Sequence, residues 1–378
     1  MSIKKIKYTE SDELPNEWTL GETDFREVNL IVGKNSTGKS RLLNLISGYA
    51  NLINGKQNTP YTNATYDGEI LVGEDEYRYV IEFKNNCVKS EYLTVNGVEK
   101  LSRNSKGEGK IFYEAENRNI SFKLEVSSIA VQQYRDTLQH PYLISLNKWA
   151  KSVVIYQFGS EFGRNSAITL KDATQPIEDQ EKQQEDDPAN VMRTYVIAYE
   201  KFGDDFDHAI LNDMREIGYK LTDVGVGNLP IPGSNPLGLE LVGLFTTEED
   251  LQFRNYQMGM SVGMFRALAL IINLNWSIFS NRSGTLLLDD IGEGLDFERS
   301  RSLIELLIHR IEGTSMQLLM TSNDRFVMNS VPLKYWTILK RTGRDVRSYS
   351  ERNSIKHFEE FKYMGLNNFD FFTADVFD

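Results

Sequence analysis

Cysteine is almost absent: Cys87 is the only one in 378 residues. A lone thiol excludes an intrachain disulfide framework and any metal centre built from clustered cysteines. Histidine is nearly as scarce. His140, His208, His309 and His357 are scattered, with no two at helical ligand spacing, which argues against a histidine-based zinc site. Long hydrophobic runs are missing as well. The longest, Ala267 to Phe279, has 13 residues and includes two asparagines, short of the roughly 18 that a membrane span needs. The residues after Met1 are polar and do not form the apolar core of a signal peptide. Positive charge is in deficit, with 42 Lys and Arg against 54 Asp and Glu and a net charge of −12. That balance argues against a general coat for nucleic acid or anionic lipid, while a local basic patch stays open. These absences predict a soluble cytoplasmic protein of a reducing compartment, with no membrane partner.

What is present is ordinary globular composition, 40% apolar and 25% charged, in a length that suits one large domain or two smaller ones. Val28 to Val32 is an apolar run ending at Gly33, and Arg41 to Ile53 then shows helical periodicity through Leu42, Leu43, Leu45 and Ile46. Residues 68–126 read as an antiparallel meander. Tyr77, Tyr79, Ile81 and Phe83 alternate in one segment, and Ile120, Phe122, Leu124 and Val126 in another, with turn chemistry at Asn96-Gly97 and Gly107 to Gly109. From about 127 to 222 the pattern is mostly helical. It is interrupted by an acidic run, Ile177 to Asn190, that reads as a solvated surface loop. Asn228 to Gly238, rich in Gly and Pro, breaks the chain before a strand-like stretch, Leu239 to Phe245. An apolar helix (Met264 to Phe279), a strand (Thr285 to Leu288), a helix carrying Leu303, Leu306, Leu307 and Ile311, and a strand (Gln317 to Met320) then imply a parallel sheet covered by helices. No internal repeat and no sustained heptads occur, so long coiled-coil arms are not expected.

Gly33-Lys34-Asn35-Ser36-Thr37-Gly38-Lys39-Ser40 fits the phosphate-loop pattern G-x-x-x-x-G-K-[ST] at every fixed position, between a strand and a helix. Gly33 and Gly38 let backbone N–H groups turn toward a β-phosphate. Lys39 reaches the β- and γ-phosphates, Ser40 coordinates Mg²⁺, and the helix start adds its positive dipole end, with Arg41 beside it. ATP and Mg²⁺ are the cofactors this implies. Such a site needs an acid at the end of a buried strand, and Thr285-Leu286-Leu287-Leu288-Asp289-Asp290 supplies one. Asp289 suits the metal shell, and Asp290 is placed to orient or activate water. Gly292 to Asp296 follows at once. Ser261-Val262-Gly263 opens a helix some 25 residues upstream and could grip another phosphate or serve as an ordinary cap.

In this order the motifs resemble the ABC-type ATPases of the SMC, RecF and OLD kind, in a compact prokaryotic form, over roughly residues 1–340. The resemblance implies an α/β P-loop NTPase of ABC/SMC-head type, a mixed sheet with an antiparallel meander and a helical lobe. The implied division is an N-terminal lobe at 1–126, a helical lobe at 127–238, a C-terminal lobe at 239–345 and a tail at 346–378. Ser261 and Gly263 match the signature that contacts a γ-phosphate, Asp289 matches the Walker B aspartate, and Asp290 takes the place of the catalytic glutamate. Leu295-Asp296 stands at the D-loop. Glu91 with Leu93, and Arg103, look like elements often found in the meander. For the Q-loop glutamine, Gln132 or Gln133 fits best, with Gln157 behind them. The switch position, usually histidine, holds Asn323.

Two departures bear on rate. Asp290 is one methylene shorter than glutamate, and Asn323 donates but carries no charge. Losing one well-placed transition-state donor costs about 10²–10³ in rate. Slow hydrolysis and a long-lived ATP state follow. In the resembling family two protomers face head to tail, so that Ser261 of one completes the Lys39 site of the other, which implies a homodimer or a higher even-numbered oligomer. Fewer than 40 residues follow the last core strand, so an effector is expected as a separate protein; a regulatory complex of the anti-phage kind is what the resemblance implies. Lys334 to Lys362 carries eight Lys or Arg against four acids, which keeps open a RecF-like ATPase that binds DNA. A nucleotide-gated scaffold with negligible turnover is a third reading.

Overall fold

The computed structural model describes all residues except 58–60, 161–163, 166, 177, 180–189, 230–239, 252, 363–366 and 374–378. Most of the acidic run and of the Gly/Pro segment lie outside the described residues. The chain divides into two compact units, one of residues 1–155, 283–288 and 311–378, the other of residues 156–282 and 289–310.

The first unit opens with β1 (Ser2–Glu10), β2 (Trp18–Asp24), β3 (Val28–Val32) and α1 (Lys39–Asn54). The meander follows as β4 (Asn63–Val72), β5 (Asp75–Lys84), β6 (Cys87–Val95), β7 (Val98–Arg103), β8 (Glu108–Tyr113) and β9 (Arg118–Lys123). Helices α2 (Ala130–Gln133) and α3 (Pro141–Ser152) lead to β10 (Val154–Gln157), where the chain passes into the second unit. There lie β11 (Ile168–Thr169), α4 (Leu170–Ala173), α5 (Val191–Phe202), α6 (Asp204–Glu216), β12 (Leu221–Asn228), β13 (Leu241–Glu248), β14 (Asn255–Tyr256) and α7 (Val262–Phe279). Then come β15 (Thr285–Asp289) and α8 (Phe297–Ile311), and the first unit is completed by β16 (Gln317–Thr321), α9 (Arg325–Ser330), β17 (Trp336–Thr342), β18 (Asp345–Ser350), α10 (Ile355–Lys362) and α11 (Asn368–Thr373).

One large sheet runs β10-β15-β16-β3-β17-β18-β2-β1-β4-β5-β6-β7-β8-β9. Its parallel part pairs Leu288 with Met320, Met320 with Leu30, and Trp336 with Leu30. Every residue of β3, β15 and β16 is buried, as continuous apolar runs require when helices cover both faces. The meander is antiparallel throughout, and Tyr77, Tyr79, Ile81 and Phe83 all face inward, as their alternation predicts. The unit boundary falls near 155 and not at 127. Helix α3 buries Leu143, Leu146 and Trp149 in the same core as Leu42, Leu43 and Ile46 of α1, so residues 127–152 belong with the phosphate-loop unit.

A buried ion pair staples the meander to α2. Glu91 and Arg103 side chains are fully buried, with Nη1 3.4 Å from the carboxylate. Glu91 also accepts from the Ala130 and Val131 amides (2.9 and 3.0 Å) and from the Tyr79 hydroxyl (3.0 Å). Arg103 donates to the Ser128 and Glu125 carbonyls, both at 2.6 Å. Burial pushes the Glu91 carboxyl above its ordinary range, and the amides, Arg103 and Tyr79 oppose that shift. The motif residues of the meander therefore work as a structural clasp.

The second unit is built on α7, which is buried from Gly263 to Trp276. Among the described residues it is the one helix long and apolar enough to cross a membrane, and 78% of that stretch is buried within the protein. Its two asparagines are satisfied internally. Asn273 donates to the Ala269 carbonyl (2.8 Å), and Asn275 donates to Asp213 (2.7 Å) and accepts from Arg310 (2.9 Å).

Asp207 on α6 is held up to about 6, chiefly by burial, with the Asp223 and Asp204 carboxylates adding to it and the Tyr195 hydroxyl, 2.6 Å away, opposing it. A carboxyl whose folded pKa is raised binds its proton more tightly in the folded state. Its contribution is therefore full below about pH 4 and lost as pH rises through 6. Asp207→Asn is expected to flatten this part of the stability–pH curve. At pH 7 it should gain about 1–2 kcal/mol, after discounting for partial exposure, by chemical denaturation at pH 4, 5.5 and 7.

Candidate functional site

In the first unit the phosphate loop joins β3 to α1. Gly38 stands as the N-cap of α1 with φ 107°, and no side chain caps the helix and no acid sits in its first turn. A helix start without a side-chain cap presents its N-terminal amides to an anionic acceptor. The left-handed backbone requires glycine, and a Cβ at Gly38 would also lie 3.1 Å from the Trp18 ring. Gly33 is hemmed in by the Thr37 side chain and, 3.0 Å from a Cβ built there, by the Leu339 carbonyl of β17. Thr37 closes the turn by donating through Oγ1 to the Lys34 carbonyl (2.9 Å). Lys39 is buried inside the loop, its Nζ 2.8 Å from the Gly33 carbonyl. Lys34, Asn35 and Ser36 are exposed on the crest, and Ser40 is half-buried at the helix start. Arg41 lies 4.1 Å above the Trp18 ring and pairs with Glu10, which fixes the entry of α1 against β1 and β2. An uncapped helix end, a loop glycine in the left-handed region and a buried ammonium facing the loop carbonyls together fit a polyphosphate.

The segment expected to hold the switch position lies in the same unit. Thr321 of β16 is in register with Ile31 of β3, so the parallel strands run out at the same edge. Asn323 is exposed just past that end. Asp324 accepts from the Phe326 and Val327 amides (2.6 and 3.2 Å) and starts α9.

In the second unit Asp289, the last residue of β15, is nine-tenths buried, and Asp290 follows with φ 53°. Gly292 and Gly294 are also left-handed, at φ 91° and 84°, which makes the segment one tight coil. Ser261 is exposed and caps α7, accepting from the Met264 amide at 3.2 Å. A Cβ at Gly263 would overlap the Gly294 carbonyl, so the start of α7 and the segment after Asp290 pack backbone to backbone. Arg266 locks this arrangement, donating to the Glu293 carbonyl (3.0 Å), the Ser160 carbonyl (2.9 Å) and the Gly159 carbonyl. Asp296 caps α8 by accepting from the Arg299 amide (3.0 Å). That bond holds its carboxyl below the usual range, and the Arg299 guanidinium assists.

Gln132 is placed elsewhere. Its amide donates to the Leu52 and Gln57 carbonyls (2.7 and 3.0 Å) at the C-terminal end of α1. Leu52 lies thirteen residues beyond Lys39, about 20 Å along the helix. A glutamine bonded there cannot reach a nucleotide at the helix start, so its assignment to the Q-loop is corrected. Gln133 sits in the same short helix. Gln157 is exposed at the end of β10, and the next amide, Phe158, donates to the Asp289 carbonyl at 2.9 Å. Strand adjacency, which sequence spacing does not show, thus brings Gln157 beside Asp289 at the end of β15.

The basic run after Lys334 is largely committed within the chain. Arg344 pairs with Glu17 (2.9 Å), Lys362 with Glu351 (2.6 Å) and Lys334 with Glu312 (3.5 Å), and Arg341 donates to the Ser36 carbonyl (3.2 Å).

Residues 28–329 match the protein family described as "AAA domain, putative AbiEii toxin, Type IV TA system". No protein of curated function matches. Among solved structures, the chain is similar to an Smc head bound to the C-terminal winged-helix domain of ScpA, with a TM-score of 0.55 and 13% identity, over 94% of this chain and 100% of that one. An Smc head with an extended coiled coil from Pyrococcus furiosus gives 0.49 at 12% identity, over 96% and 99%. An SMC head domain from Thermotoga maritima gives 0.46 at 13%, over 93% and 99%.

Proposed function

We propose, from the premise that the chain belongs to this AAA-domain family and has an SMC-head-like P-loop fold, that it binds ATP·Mg²⁺ and hydrolyses it slowly. The observation that carries the reading is the uncapped start of α1 behind left-handed Gly38, with buried Lys39 inside the loop. In this reading Gly33 to Arg41 cradle the phosphates, and Ser40 and Asp289 hold the metal. Asp290 orients the attacking water, Asn323 donates toward the γ-phosphate, and Gln157 replaces Gln132 in the Q-loop role. Bound Mg²⁺ would draw charge from the β- and γ-phosphate oxygens. Turnover below the ordinary enzyme median of about 10 s⁻¹ is expected, because Asn323 cannot carry charge and Asp290 has a short reach.

The active unit in this proposal is a head-to-tail homodimer in which the exposed Ser261 hydroxyl and the α7 N-terminus of one copy meet the nucleotide of the other. Support comes from the signature rim. Met258, Val262 and Phe297, near Ser261 or the segment after Asp290, are 51%, 37% and 47% exposed, apolar side chains of the kind that a partner surface buries at an interface core. The family's description names a toxin of a toxin–antitoxin system, and we extend the proposal to a nucleotide-dependent regulator in genome defence that acts with a separate effector.

Lys39→Ala tests the site. Removing a charge-assisted contact should weaken ATP binding by at least about tenfold, read by calorimetry with Mg²⁺. Full ATP affinity in this variant would refute the assignment.

A further inference from the structure

In the second unit, two segments far apart in sequence exchange arginines. Arg164, in the loop that follows β10, donates through Nε to the Gln257 carbonyl (3.2 Å) and through Nη2 to the Met258 and Met260 carbonyls (2.8 and 2.6 Å). Those carbonyls belong to the last residues before Ser261. Arg266, on the second turn of α7, donates in the other direction, to the Ser160 carbonyl (2.9 Å) and the Gly159 carbonyl of that loop. Gln257 ties the exchange to the sheet. It is fully buried, its Nε2 donates to the Arg164 carbonyl (2.9 Å), and its Oε1 accepts from the Leu244 amide of β13 (2.9 Å).

Arg266 holds a third piece, the coil after Asp290. Its Nη1 donates to the Glu293 carbonyl (3.0 Å), and a Cβ at left-handed Gly294 would lie 2.9 Å from the same nitrogen. A Cβ at Gly159 would overlap the Glu293 carboxylate. The loop after β10, the start of α7 and the coil after Asp290 therefore meet around one buried guanidinium. Arginine suits that place. Its planar fork offers N–H donors in fixed directions, one for each carbonyl, whereas a lysine ammonium is a point charge on a flexible stem.

We propose that Arg164 and Arg266 are positioning residues, which together hold the Ser261 hydroxyl, the coil that carries Asp290 and the loop after Gln157 as one body. The inference rests on the roles given above to Ser261 and Asp290. Neither arginine touches nucleotide in this account. Both act through main-chain carbonyls, on where the polar start of α7 and the carboxylate that orients water stand. A displacement of about 1 Å that begins away from the chemistry can cost about 10² in rate. The phosphate loop belongs to the first unit and shares no residue with this clasp, so binding of ATP is spared while turnover is not.

The test uses the full chain with Arg266→Lys and, separately, Arg164→Gln, each assayed well below its melting midpoint. Arg266→Lys keeps the charge and the stem but loses the fork. Both variants should bind ATP·Mg²⁺ within about threefold of the unaltered chain, by calorimetry at low chain concentration, and hydrolyse it about 10–100 times more slowly in a single turnover. A role confined to stability does not produce that split in a folded variant. Unchanged turnover, or a loss of ATP affinity equal to the loss of rate, would overturn the positioning role.

Hydrogen exchange on the nucleotide-free chain gives a second readout. The amides to follow are Phe158, bonded to the Asp289 carbonyl, Glu293, bonded to the Asp290 carbonyl, Gln257, bonded to the Leu244 carbonyl, and Met264, bonded to Ser261. Either variant should speed exchange at all four by at least about tenfold. Faster exchange limited to the segment each arginine bonds would show two separate clamps and contradict the single body. An unaltered chain that binds ATP without turning it over would refute the hydrolysis reading alone, and the exchange pattern then decides the clasp by itself.

Discussion

Asp290→Asn is expected to bind ATP within about threefold of the unaltered chain and to turn it over about 10²–10³ times more slowly. The backbone makes this variant clean. Asp290 sits at φ 53°, a left-handed conformation in which Asn and Asp are enriched and longer side chains are not. Asn keeps that geometry and removes only the charge. The same conformation gives a reason for aspartate where the resembling ATPases carry glutamate. Asp290→Glu should therefore not raise turnover, since the added methylene comes with a residue less suited to the turn. Single-turnover hydrolysis with radiolabelled ATP separates binding from chemistry. Unchanged turnover in Asp290→Asn would remove Asp290 from the reaction.

The second large effect is on stability. Arg103→Met leaves the Glu91 carboxylate buried, with two amides and Tyr79 as its remaining partners. Breaking a buried pair in this way costs about 3–5 kcal/mol. The meander unit should unfold at markedly lower urea, and the amides of Ala130 and Val131 should lose protection from hydrogen exchange. Arg103→Met with Glu91→Leu should recover part of the loss, because no uncompensated charge then remains. A double variant as unstable as the sum of the two singles would show that the pair does not act as one clasp.

The elements that local pattern controls were legible. The phosphate loop, the buried strands β3, β15 and β16, and the alternation of β5 each follow from residues close in the chain, and each stands where its pattern places it. What was not legible depends on contacts between distant segments. Gln157 comes beside Asp289 only because β10 takes the sheet edge next to β15, and nothing in the local sequence says so. Gln132 looked eligible by order along the chain, yet its amide is committed to the far end of α1. Helix α3 reads as part of a helical lobe but packs on α1, because its apolar face matches the face that α1 presents. The left-handed turn at Asp290 and the hold of Arg341 on Ser36 also depend on structure that spacing does not encode. Glu91 and Arg103 were visible as a motif, and their burial shows that the motif serves the fold.

The central claim is that nucleotide joins two copies of this chain. Its most direct test is the mass of Asp290→Asn in solution with ATP and Mg²⁺, measured by sedimentation velocity over a wide concentration range. The account predicts a species of twice the 43.4 kDa chain mass that appears with ATP and is lost on Ser261→Glu. A single chain at every concentration, with nucleotide bound, would contradict it.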